Sequence, residues 1–530
     1  MTLARTLMVQ GTTSSAGKSL LVTALCRMLR QRGVRVAPFK SQNMALNAAV
    51  TADGSEIGRA QAVQAEAAGI EPTADMNPIL LKPEGTGGCQ VVVLGRSIGN
   101  LSAIDYHRHK LELRAVIDAS LRRLRAAHDF VVIEGAGSPV EINLRDRELV
   151  NMYVARAADA PVLLVGDIDR GGVFAAFVGT LELLDREDRR RIAGFVVNKF
   201  RGDRALLQPG LDELALRTGI PVAGVVPYIP RLRIAEEDSL SLDERSRRAR
   251  PTTAELDICV VRLPYISNHD DFEPLEHEAG LVVRFPETAA DLAGADLVIV
   301  PGSKSTASDL SWLRERGIAD AIVARARAGL PVLGICGGCQ MLGGAIDDAE
   351  HLESPHATAH GLDLLPLRTR FGGRKITARV SAMAGPGSWL ASEASGPFAG
   401  YEIHLGAMSP AGAVTAAFRI TSRNGEACAI DDGAVAGSVV GTMIHGILAN
   451  DAVRAALLAH LRVRRALPPP SSIESPPPID EYDRVAAIVR EALDDRVVAP
   501  LLEKVCSSGR FSSPPVDSGP ARSSYGPKGR

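Results

Sequence analysis

The sequence predicts two α/β domains within one chain of 530 residues. Short apolar runs alternate with segments of helical periodicity up to about residue 230, and the same alternation resumes after residue 254. The runs are rich in β-branched residues and lack polar alternation, which is typical of parallel strands covered by helices on both faces. Two Gly-rich turns, at residues 11–19 and 334–338, each follow such a run.

The first domain, at residues 1–233, is predicted to be a doubly wound parallel sheet. Residues 7–10 are a short apolar run that ends at glycine, and residues 19–32 have helical periodicity. Residues 34–38 are again typical of a strand. Further buried strands are predicted at residues 130–133, 162–165 and 195–197.

The rest of the chain divides at changes of composition. Residues 234–253 are charged and poor in apolar residues, which predicts a linker. The second domain follows at residues 254–465, with predicted strands at 258–262, 297–300 and 331–335. Residues 466–505 combine a Pro-rich spacer at 467–478 with an amphipathic helix at 482–493. Residues 506–530 have almost nothing to bury, and we expect them to be disordered.

Composition excludes several classes of function. The chain has 60 basic and 62 acidic residues, so nothing in its charge favours nucleic acid or an anionic membrane as a partner. No apolar stretch approaches the roughly 20 residues needed to span a bilayer. The N-terminus runs directly into a predicted strand, so no signal peptide is visible. Seven scattered cysteines indicate reduced thiols and a cytoplasmic location.

The turn at residues 11–19, GTTSSAGKS, is a candidate phosphate-binding loop. Gly11 and Gly17 allow backbone N–H groups, including that of Thr12, to turn inward around phosphate oxygens. Lys18 supplies a positive charge, and the hydroxyl of Ser19 is a candidate Mg²⁺ ligand. The common pattern has four residues between the glycines, whereas this one has five. That spacing resembles the loop of dethiobiotin synthetase-like ATPases.

Three further polar residues are candidates for the same site. Glu134 ends a predicted strand and is placed to hold Mg²⁺, although a helix cap is the alternative interpretation. Asn198 follows another strand and is a candidate adenine contact. Asp53 is a candidate second metal ligand, although an Asp-Gly pair more often forms only a turn.

The turn at residues 334–338, GICGG, is typical of a nucleophile elbow. It predicts Cys336 as a nucleophile, with the following helix N-terminus favouring the thiolate. The N–H group of Gly337 and a second donor near Gly302 are candidates for an oxyanion hole. His445, at the end of another predicted strand, is the candidate base and acid.

Structural interpretations of these residues stay open. A cysteine in an apolar strand is commonly core filler, and a lone histidine is commonly structural. Cys336 and Cys339 also form a CxxC pair, which suggests redox chemistry or zinc. A second Cys or His pair at metal-binding spacing is missing from the sequence, which argues against zinc.

Several motifs resemble the cobyric acid synthase family, the glutamine-dependent amidotransferases of the cobalamin pathway. The cysteine elbow and His445 are similar to class I glutamine amidotransferases in general. The more specific likeness lies in PFKSQNM at 38–44, DGSEIGRAQ at 53–61, MNPILLKP at 76–83, QVV at 90–92, LPYISN at 263–268 and GYEIH at 400–404. The resemblance extends over about residues 5–495.

The resemblance implies a two-site reaction. ATP with Mg²⁺ would phosphorylate peripheral carboxylates of adenosylcobyrinic acid a,c-diamide, and ammonia from glutamine would displace each phosphate to give four new carboxamides. Asn43, Asn47, Gln61 and Asn77 are candidate contacts to this corrinoid, although they could equally cap helices or satisfy loops. The sequence leaves the oligomeric state open, including a homo-oligomer.

Two departures from the amidotransferase pattern bear on this implication. Class I enzymes usually carry a Glu two residues after the histidine, and here that residue is Ile447, so the sequence leaves the partner of His445 unidentified. Cys339 stands where the family commonly has Tyr. The rival functions are cobyrinic acid a,c-diamide synthase or another amidoligase, and a nucleotide-switched scaffold with an inactive glutaminase module.

Overall fold

The β-branched runs of the first half pair side by side in a six-stranded parallel sheet. The computed structural model describes residues 3–84, 88–102, 105–106, 109–230, 232–234, 254–354, 356–372, 375–390, 396–468 and 480–503. Across the sheet the strands are Val222–Pro227, Ile192–Phe200, Val162–Asp167, Arg5–Gly11, Phe130–Glu134 and Val36–Phe39.

Both faces of this sheet are buried. In the strand Arg5–Gly11, Leu7 and Val9 belong to the apolar core on one face, whereas Met8 belongs to the core on the other. The strand Val162–Asp167 alternates in the same way. Because successive side chains of a strand point to opposite faces, a strand between two helical layers must be apolar throughout. The predicted doubly wound α/β class is therefore confirmed for the first half.

Helices and two small sheets complete the first half. The helices are Lys18–Gln31, Arg59–Ala68, Lys110–Ala127, Met152–Ala158, Val173–Leu183, Arg186–Arg189 and Arg204–Thr218. The small sheets consist of Gln42–Met44, Ile79–Pro83, Gly88–Val93 and Arg96–Ser102, and of Ala48–Val50 paired with Glu56–Gly58. Short 3-10 turns lie at Ala74–Met76 and Ile142–Arg147.

The second half contains another six-stranded sheet, of which five strands are parallel and the last is antiparallel. Its order is Leu281–Arg284, Leu256–Val260, Leu297–Val300, Val332–Ile335, Val439–Thr442 and Ala434–Ala436. Its helices are Glu273–Glu276, Thr306–Glu315, Ile318–Arg327, Gly337–Leu342 and Asp451–Arg464. Its 3-10 turns are His269–Phe272, Ala290–Leu292 and Ile447–Ala449.

Two four-stranded sheets, which the sequence analysis did not predict, pack around the second half. One consists of Thr358–His360, Ala345–Asp347, Leu367–Arg370 and Ala407–Pro410. The other consists of Phe398–His404, Ile376–Ala384, Phe418–Arg423 and Glu426–Asp432.

The last two helices, Glu481–Ala492 and Asp495–Glu503, return to the first half of the chain. Val485 and Val489 share an apolar core with Leu25 of the helix Lys18–Gln31. At the surface of this contact, the Tyr482 hydroxyl donates to Glu66 at 2.7 Å. The C-terminal helices therefore cover the sheet that carries the phosphate loop.

The strands that the sequence predicts are observed, and the helix predicted at residues 482–493 is observed as Glu481–Ala492. Apart from Ile234, the predicted linker at 234–253 lies outside the described residues, as do the tail at 506–530 and nearly all of the Pro-rich spacer. Among the residues that the structure describes, no helix is long and apolar enough to cross a membrane.

Candidate active sites

The loop at residues 11–19 connects the central strand Arg5–Gly11 to the helix Lys18–Gln31. Its glycines are required sterically. Gly17 has a φ of +96°, and a Cβ there would lie 1.9 Å from the side-chain nitrogen of Asn198. A Cβ on Gly11 would lie 2.9 Å from the Thr13 carbonyl oxygen and 3.0 Å from the Lys18 ammonium. The backbone therefore makes a tight cradle of the kind that binds phosphate.

Polar contacts hold this cradle in shape. The Lys18 ammonium donates to the Thr13 carbonyl at 2.9 Å and to the Gly137 carbonyl at 3.4 Å. The N–H of Thr12 does not turn inward as predicted, because it donates to the Val165 carbonyl of the neighbouring strand at 2.9 Å. A positive charge is thus held at the concave side of the loop, where a polyphosphate would need it.

The predicted metal ligands Ser19 and Glu134 lie together. The Ser19 hydroxyl donates to Glu134 Oε1 at 2.8 Å, and Lys40 Nζ lies 3.0 Å from the same oxygen. Gln64 donates to the other carboxylate oxygen. Burial opposes the charged form, but Lys40 and the hydrogen bonds from Gln64 and Ser19 hold the pKa of Glu134 below its ordinary value. A hydroxyl beside an ionised carboxylate is a donor set that suits Mg²⁺.

Asp53 lies apart from this pair. It occupies an exposed turn, where its carboxylate accepts hydrogen bonds from Thr51 and from the Ser55 hydroxyl, the latter at 3.1 Å. These local bonds lower the pKa of Asp53, the Thr51 hydroxyl contributing most. Asp53 thus lies in a local turn, which was the alternative interpretation of the Asp-Gly pair.

Asn198 and its neighbour Lys199 anchor the same loop, together with Asp167, which sequence reasoning missed. Lys199 Nζ donates to the Ser15 carbonyl at 2.9 Å and to Asp167 at 2.9 Å. Asn198 donates to the Ala16 carbonyl at 2.9 Å, so its amide contacts the loop backbone itself. Asp167 ends a buried strand, as Glu134 does. A carboxylate at the end of an apolar run was therefore the sequence signal that could have identified Asp167.

The four candidate corrinoid contacts are all buried amides. Asn43 donates to Gln61 at 3.1 Å, and Asn77 accepts from the N–H of Gly58 at 2.9 Å. Asn47 lies 2.8 Å from a ring nitrogen of His269 in the second half. In this arrangement they hold the start of the helix Arg59–Ala68 and the contact between the two halves.

Cys336 occupies a strained turn between the strand Val332–Ile335 and the helix Gly337–Leu342. Its φ of +52° and ψ of −111° are unusual for a non-glycine residue, as nucleophile elbows require. A Cβ on Gly338 would lie 1.9 Å from the Val300 carbonyl oxygen, so only glycine allows the helix to start there. The turn therefore presents the thiol at the end of the sheet.

His445 lies close enough to Cys336 for the two side chains to interact, while the Cys336 sulfur lies 3.7 Å from the Ile403 carbonyl oxygen. The partner that the sequence left unidentified is Asp271. Its Oδ2 lies 2.6 Å from His445 Nδ1, and its Oδ1 accepts from the N–H of Gly446 at 2.9 Å. Burial lowers the pKa of His445, but the charges of Asp271 and Cys336 outweigh it and raise that pKa to about 10. The three residues form a Cys–His–Asp triad.

The candidate oxyanion loop lies between the nucleophile and the histidine. A Cβ on Gly302 would lie 3.1 Å from His445 Cε1, and a Cβ on Gly337 would lie 2.8 Å from the backbone nitrogen of Ser303. The Ser303 hydroxyl donates to buried Asp309 at 2.6 Å. The backbone nitrogen of Ser303 therefore lies close to Gly337, the residue that follows Cys336.

The CxxC pair does not form a disulfide, and both sulfurs are free thiols. Cys339 is fully buried, and its sulfur lies 3.9 Å from that of Met408. Burial raises the pKa of Cys339 well above its ordinary value, so this thiol resists ionisation. Among the described residues, no cluster of three or more His, Cys, Asp or Glu side chains could hold a metal ion. Cys339 behaves as a core residue beside the nucleophile.

Two family models match this chain, one for each half. Residues 7–242 match the CobQ/CobB/MinD/ParA nucleotide binding domain, and residues 257–453 match the CobB/CobQ-like glutamine amidotransferase domain. The two matches agree with the predicted class of each half. They also contain the phosphate loop and the Cys–His–Asp triad respectively.

Relatives are similar over nearly the whole length. The cobyric acid synthase of Sorangium cellulosum is 60% identical over 93% of this chain and 99% of its own. That of Pelotomaculum thermopropionicum is 52% identical over 88% of this chain and 89% of its own. One from Dehalococcoides mccartyi is 48% identical over 95% of this chain and 99% of its own. The chain belongs to the cobyric acid synthase family.

Proposed function

We propose that this chain is an ATP- and glutamine-dependent amidotransferase of cobalamin biosynthesis. The names of its relatives support this activity, and they also support the finer assignment. In that assignment, four peripheral carboxylates of adenosylcobyrinic acid a,c-diamide become carboxamides, giving adenosylcobyric acid. The single observation that carries the proposal is that one chain holds both the phosphate cradle with Ser19 and Glu134 and the triad of Cys336, His445 and Asp271.

The glutaminase half would work as a thiol amidase. The Cys336 sulfur attacks the side-chain amide carbon of glutamine, and backbone N–H groups such as that of Gly337 receive the oxyanion. His445 gives its proton to the departing ammonia, while Asp271 keeps the imidazole oriented. Water then attacks the thioester, which releases glutamate and returns the thiol.

The first half would activate the corrinoid carboxylate. A carboxylate oxygen is a poor leaving group and must first be activated. It attacks the γ-phosphorus of ATP, which releases ADP and forms an acyl phosphate. Ammonia then attacks the acyl carbon and displaces inorganic phosphate. The inward N–H groups and Lys18 hold the phosphates during this transfer. Mg²⁺, held by Ser19 and Glu134, would neutralise charge on those phosphates.

A turnover assay tests the proposal. Purified protein is given ATP, Mg²⁺, the a,c-diamide and either glutamine or ammonium chloride, and corrinoid products are resolved by mass. We expect Cys336→Ala to abolish glutamine-driven amidation and to retain ammonium-driven amidation, whereas Lys18→Ala stops both. Equal glutamine-driven turnover in Cys336→Ala and wild type would contradict the assigned nucleophile.

The same assay separates the rival functions. An enzyme that makes the a,c-diamide would consume cobyrinic acid and leave the a,c-diamide unchanged. A nucleotide-switched scaffold would release no glutamate from glutamine under any condition. Amidation that proceeds without ATP would exclude the acyl phosphate route.

A further inference from the structure

The candidate oxyanion loop, defined here as residues 301–305, is paired with a second segment of the same half, residues 265–267. An antiparallel bridge joins Ile266 to Ser303. Two backbone hydrogen bonds of 2.9 Å flank this bridge, from the N–H of Ser267 to the Gly302 carbonyl and from the N–H of Lys304 to the Tyr265 carbonyl. The loop and the segment therefore form a short ladder.

One carboxylate, that of Asp309, holds both sides of this ladder. Its Oδ2 accepts from the Ser303 hydroxyl at 2.6 Å on the loop side, and its Oδ1 accepts from the N–H of Tyr265 at 3.3 Å on the other side. The Ser303 hydroxyl oxygen also accepts from the N–H of Ser305 at 3.0 Å. Asp309 lies near the start of the helix Thr306–Glu315, so it fastens the ladder to that helix.

The surroundings of Asp309 make its charge costly. The side chain is fully buried, and both groups that donate to it, the Ser303 hydroxyl and the Tyr265 N–H, are neutral. Burial raises the pKa of Asp309 to about 7 against these two hydrogen bonds, and the charge of Glu353 adds to the rise. A buried carboxylate with neutral donors costs more than an apolar side chain. Such a group is typical of a functional position rather than of one that only packs.

The loop that Asp309 holds lies against the nucleophile turn. A Cβ on Gly337 would lie 2.8 Å from the Ser303 backbone nitrogen, and a Cβ on Gly302 would lie 3.1 Å from His445 Cε1. When Cys336 attacks an amide, negative charge develops on the amide oxygen, and backbone N–H donors stabilise it only from the correct position. A misplacement of about 1 Å can cost about 100-fold in rate.

We propose that Asp309 is a positioning residue of the glutaminase, which holds the oxyanion loop against Gly337 through the Ser303 hydroxyl. It acts on the reaction through the loop backbone rather than by contact with the reacting atoms. An oxyanion forms when Cys336 attacks the glutamine amide and again when water attacks the thioester, so the loop contributes to both steps. This inference rests on the proposed function of the triad.

The test compares glutamine hydrolysis in Asp309→Asn, Ser303→Ala and wild type. Asparagine keeps the size of the side chain but has one acceptor oxygen for two donors, and alanine removes the hydroxyl. We expect kcat for glutamine to fall about tenfold or more in each variant with KM changed by less than about twofold, because the contact serves the transition state. Ser303→Ala leaves the buried carboxylate in place, so it tests the role even where Asp309→Asn folds poorly.

Alkylation of Cys336 by iodoacetamide separates positioning of the loop from damage to the triad. The sulfur displaces iodide from a saturated carbon, so no oxyanion forms in this reaction. The alkylation rate, followed by the mass of the peptide that contains Cys336, should equal the wild-type rate in both variants. A role in general packing would change the alkylation rate together with kcat.

The double variant, Asp309→Asn with Ser303→Ala, asks whether the two side chains act through one contact. If they do, its kcat should equal that of the slower single variant, because the second change removes nothing further. Losses that multiply in the double variant would show separate roles and would contradict the proposed contact.

Asp257→Asn is the matched control. Asp257 is also fully buried in the second half, where it pairs with Arg284 at 2.8 Å. It lies near the start of the strand Leu256–Val260, whereas the nucleophile turn follows the end of the strand Val332–Ile335 in the same parallel sheet. Loss of this ion pair should lower the melting temperature and leave kcat and the alkylation rate unchanged.

Two further results would overturn the positioning role. One is a wild-type kcat in both single variants, and the other is an alkylation rate that falls in proportion to kcat. Ammonium-driven amidation and the loss of glutaminase in Cys336→Ala are measured alongside. If those two hold while the variants fail the test, the positioning role is wrong and the proposed function stands; if those two fail, the proposed function is wrong.

Discussion

His445 and Asp271 form a buried pair in which the ring nitrogen Nδ1 lies 2.6 Å from the carboxylate oxygen Oδ2. They are 174 residues apart in the sequence and lie on different elements, a strand end and a 3-10 turn. The second carboxylate oxygen accepts from the N–H of Gly446 at 2.9 Å. Asp271 is therefore placed beside His445 where it can orient the imidazole, and we expect it to serve in place of the Glu that class I amidotransferases usually carry two residues after the histidine.

Asp271→Asn should impair the glutaminase selectively. The amide keeps the size of the side chain but removes the charge that orients and stabilises the imidazolium, so we expect kcat/KM for glutamine to fall about 100-fold or more. Ammonium-driven amidation should continue at the wild-type rate, because it bypasses the triad. Equal losses with both nitrogen sources would point instead to a general defect in folding.

The same pair sets the pH dependence of glutamine hydrolysis. With a pKa of about 10 in place of the ordinary 6.5, His445 keeps the proton for ammonia throughout the neutral range. The alkaline decline of kcat/KM should therefore lie near pH 10 in wild type and move to lower pH in Asp271→Asn. Identical alkaline limbs in a pH–rate profile of the two proteins would contradict the assignment.

The stability of the folded protein should also depend on the protonation of His445. Because the folded-state pKa of His445 is raised, its contribution to stability is complete below about pH 6.5 and is lost as the pH rises toward 10. The difference in melting temperature between wild type and Asp271→Asn should shrink over that range. A difference that grows with pH would have the wrong sign.

Glu134→Gln tests the metal assignment in the first half. Loss of the carboxylate charge weakens Mg²⁺ binding and removes the ion pair that Glu134 makes with buried Lys40 at 3.0 Å. The Mg²⁺ concentration for half-maximal amidation should rise about tenfold or more. Asp53→Asn is the control, because its carboxylate bonds only within its own exposed turn. An unchanged Mg²⁺ requirement in Glu134→Gln would exclude Glu134 as the ligand.

Gly338→Ala tests the steric demand of the nucleophile turn. The new Cβ would lie 1.9 Å from the Val300 carbonyl oxygen, so the helix must move off the sheet and Cys336 with it. Glutamine hydrolysis should be lost and the melting temperature should fall. Gly179→Ala is the control, because Gly179 lies exposed in the helix Val173–Leu183 with nothing within 4 Å of a Cβ. It should stabilise the protein by about 0.5–1 kcal/mol.

Local features were predictable because each depends on neighbours in the sequence. The phosphate loop needs glycines at 11 and 17 and a lysine at 18 between a strand and a helix. The cysteine elbow needs small residues around Cys336. These patterns also predicted the fold class of both halves, since apolar runs of this length pair as parallel strands.

Features that depend on distant residues were not predictable. Asp271 and Asp167 carry no motif, and each gains its role from a contact with another element of the chain. The antiparallel sheets of the second half were missed because their strands are partly exposed and do not form the continuous apolar runs from which strands were predicted. The return of the C-terminal helices to the first sheet also left no local signal.

The sequence by itself determined the two chemistries, because backbone cradles and nucleophile turns are short and demand particular residues at fixed spacing. Only the tertiary structure decided how the sites are completed and joined. Asp271 reaches His445, and Arg59 reaches Asp270, through contacts between chain segments more than 150 residues apart. Such contacts depend on how whole elements pack, and packing is a property of the folded chain rather than of any one segment.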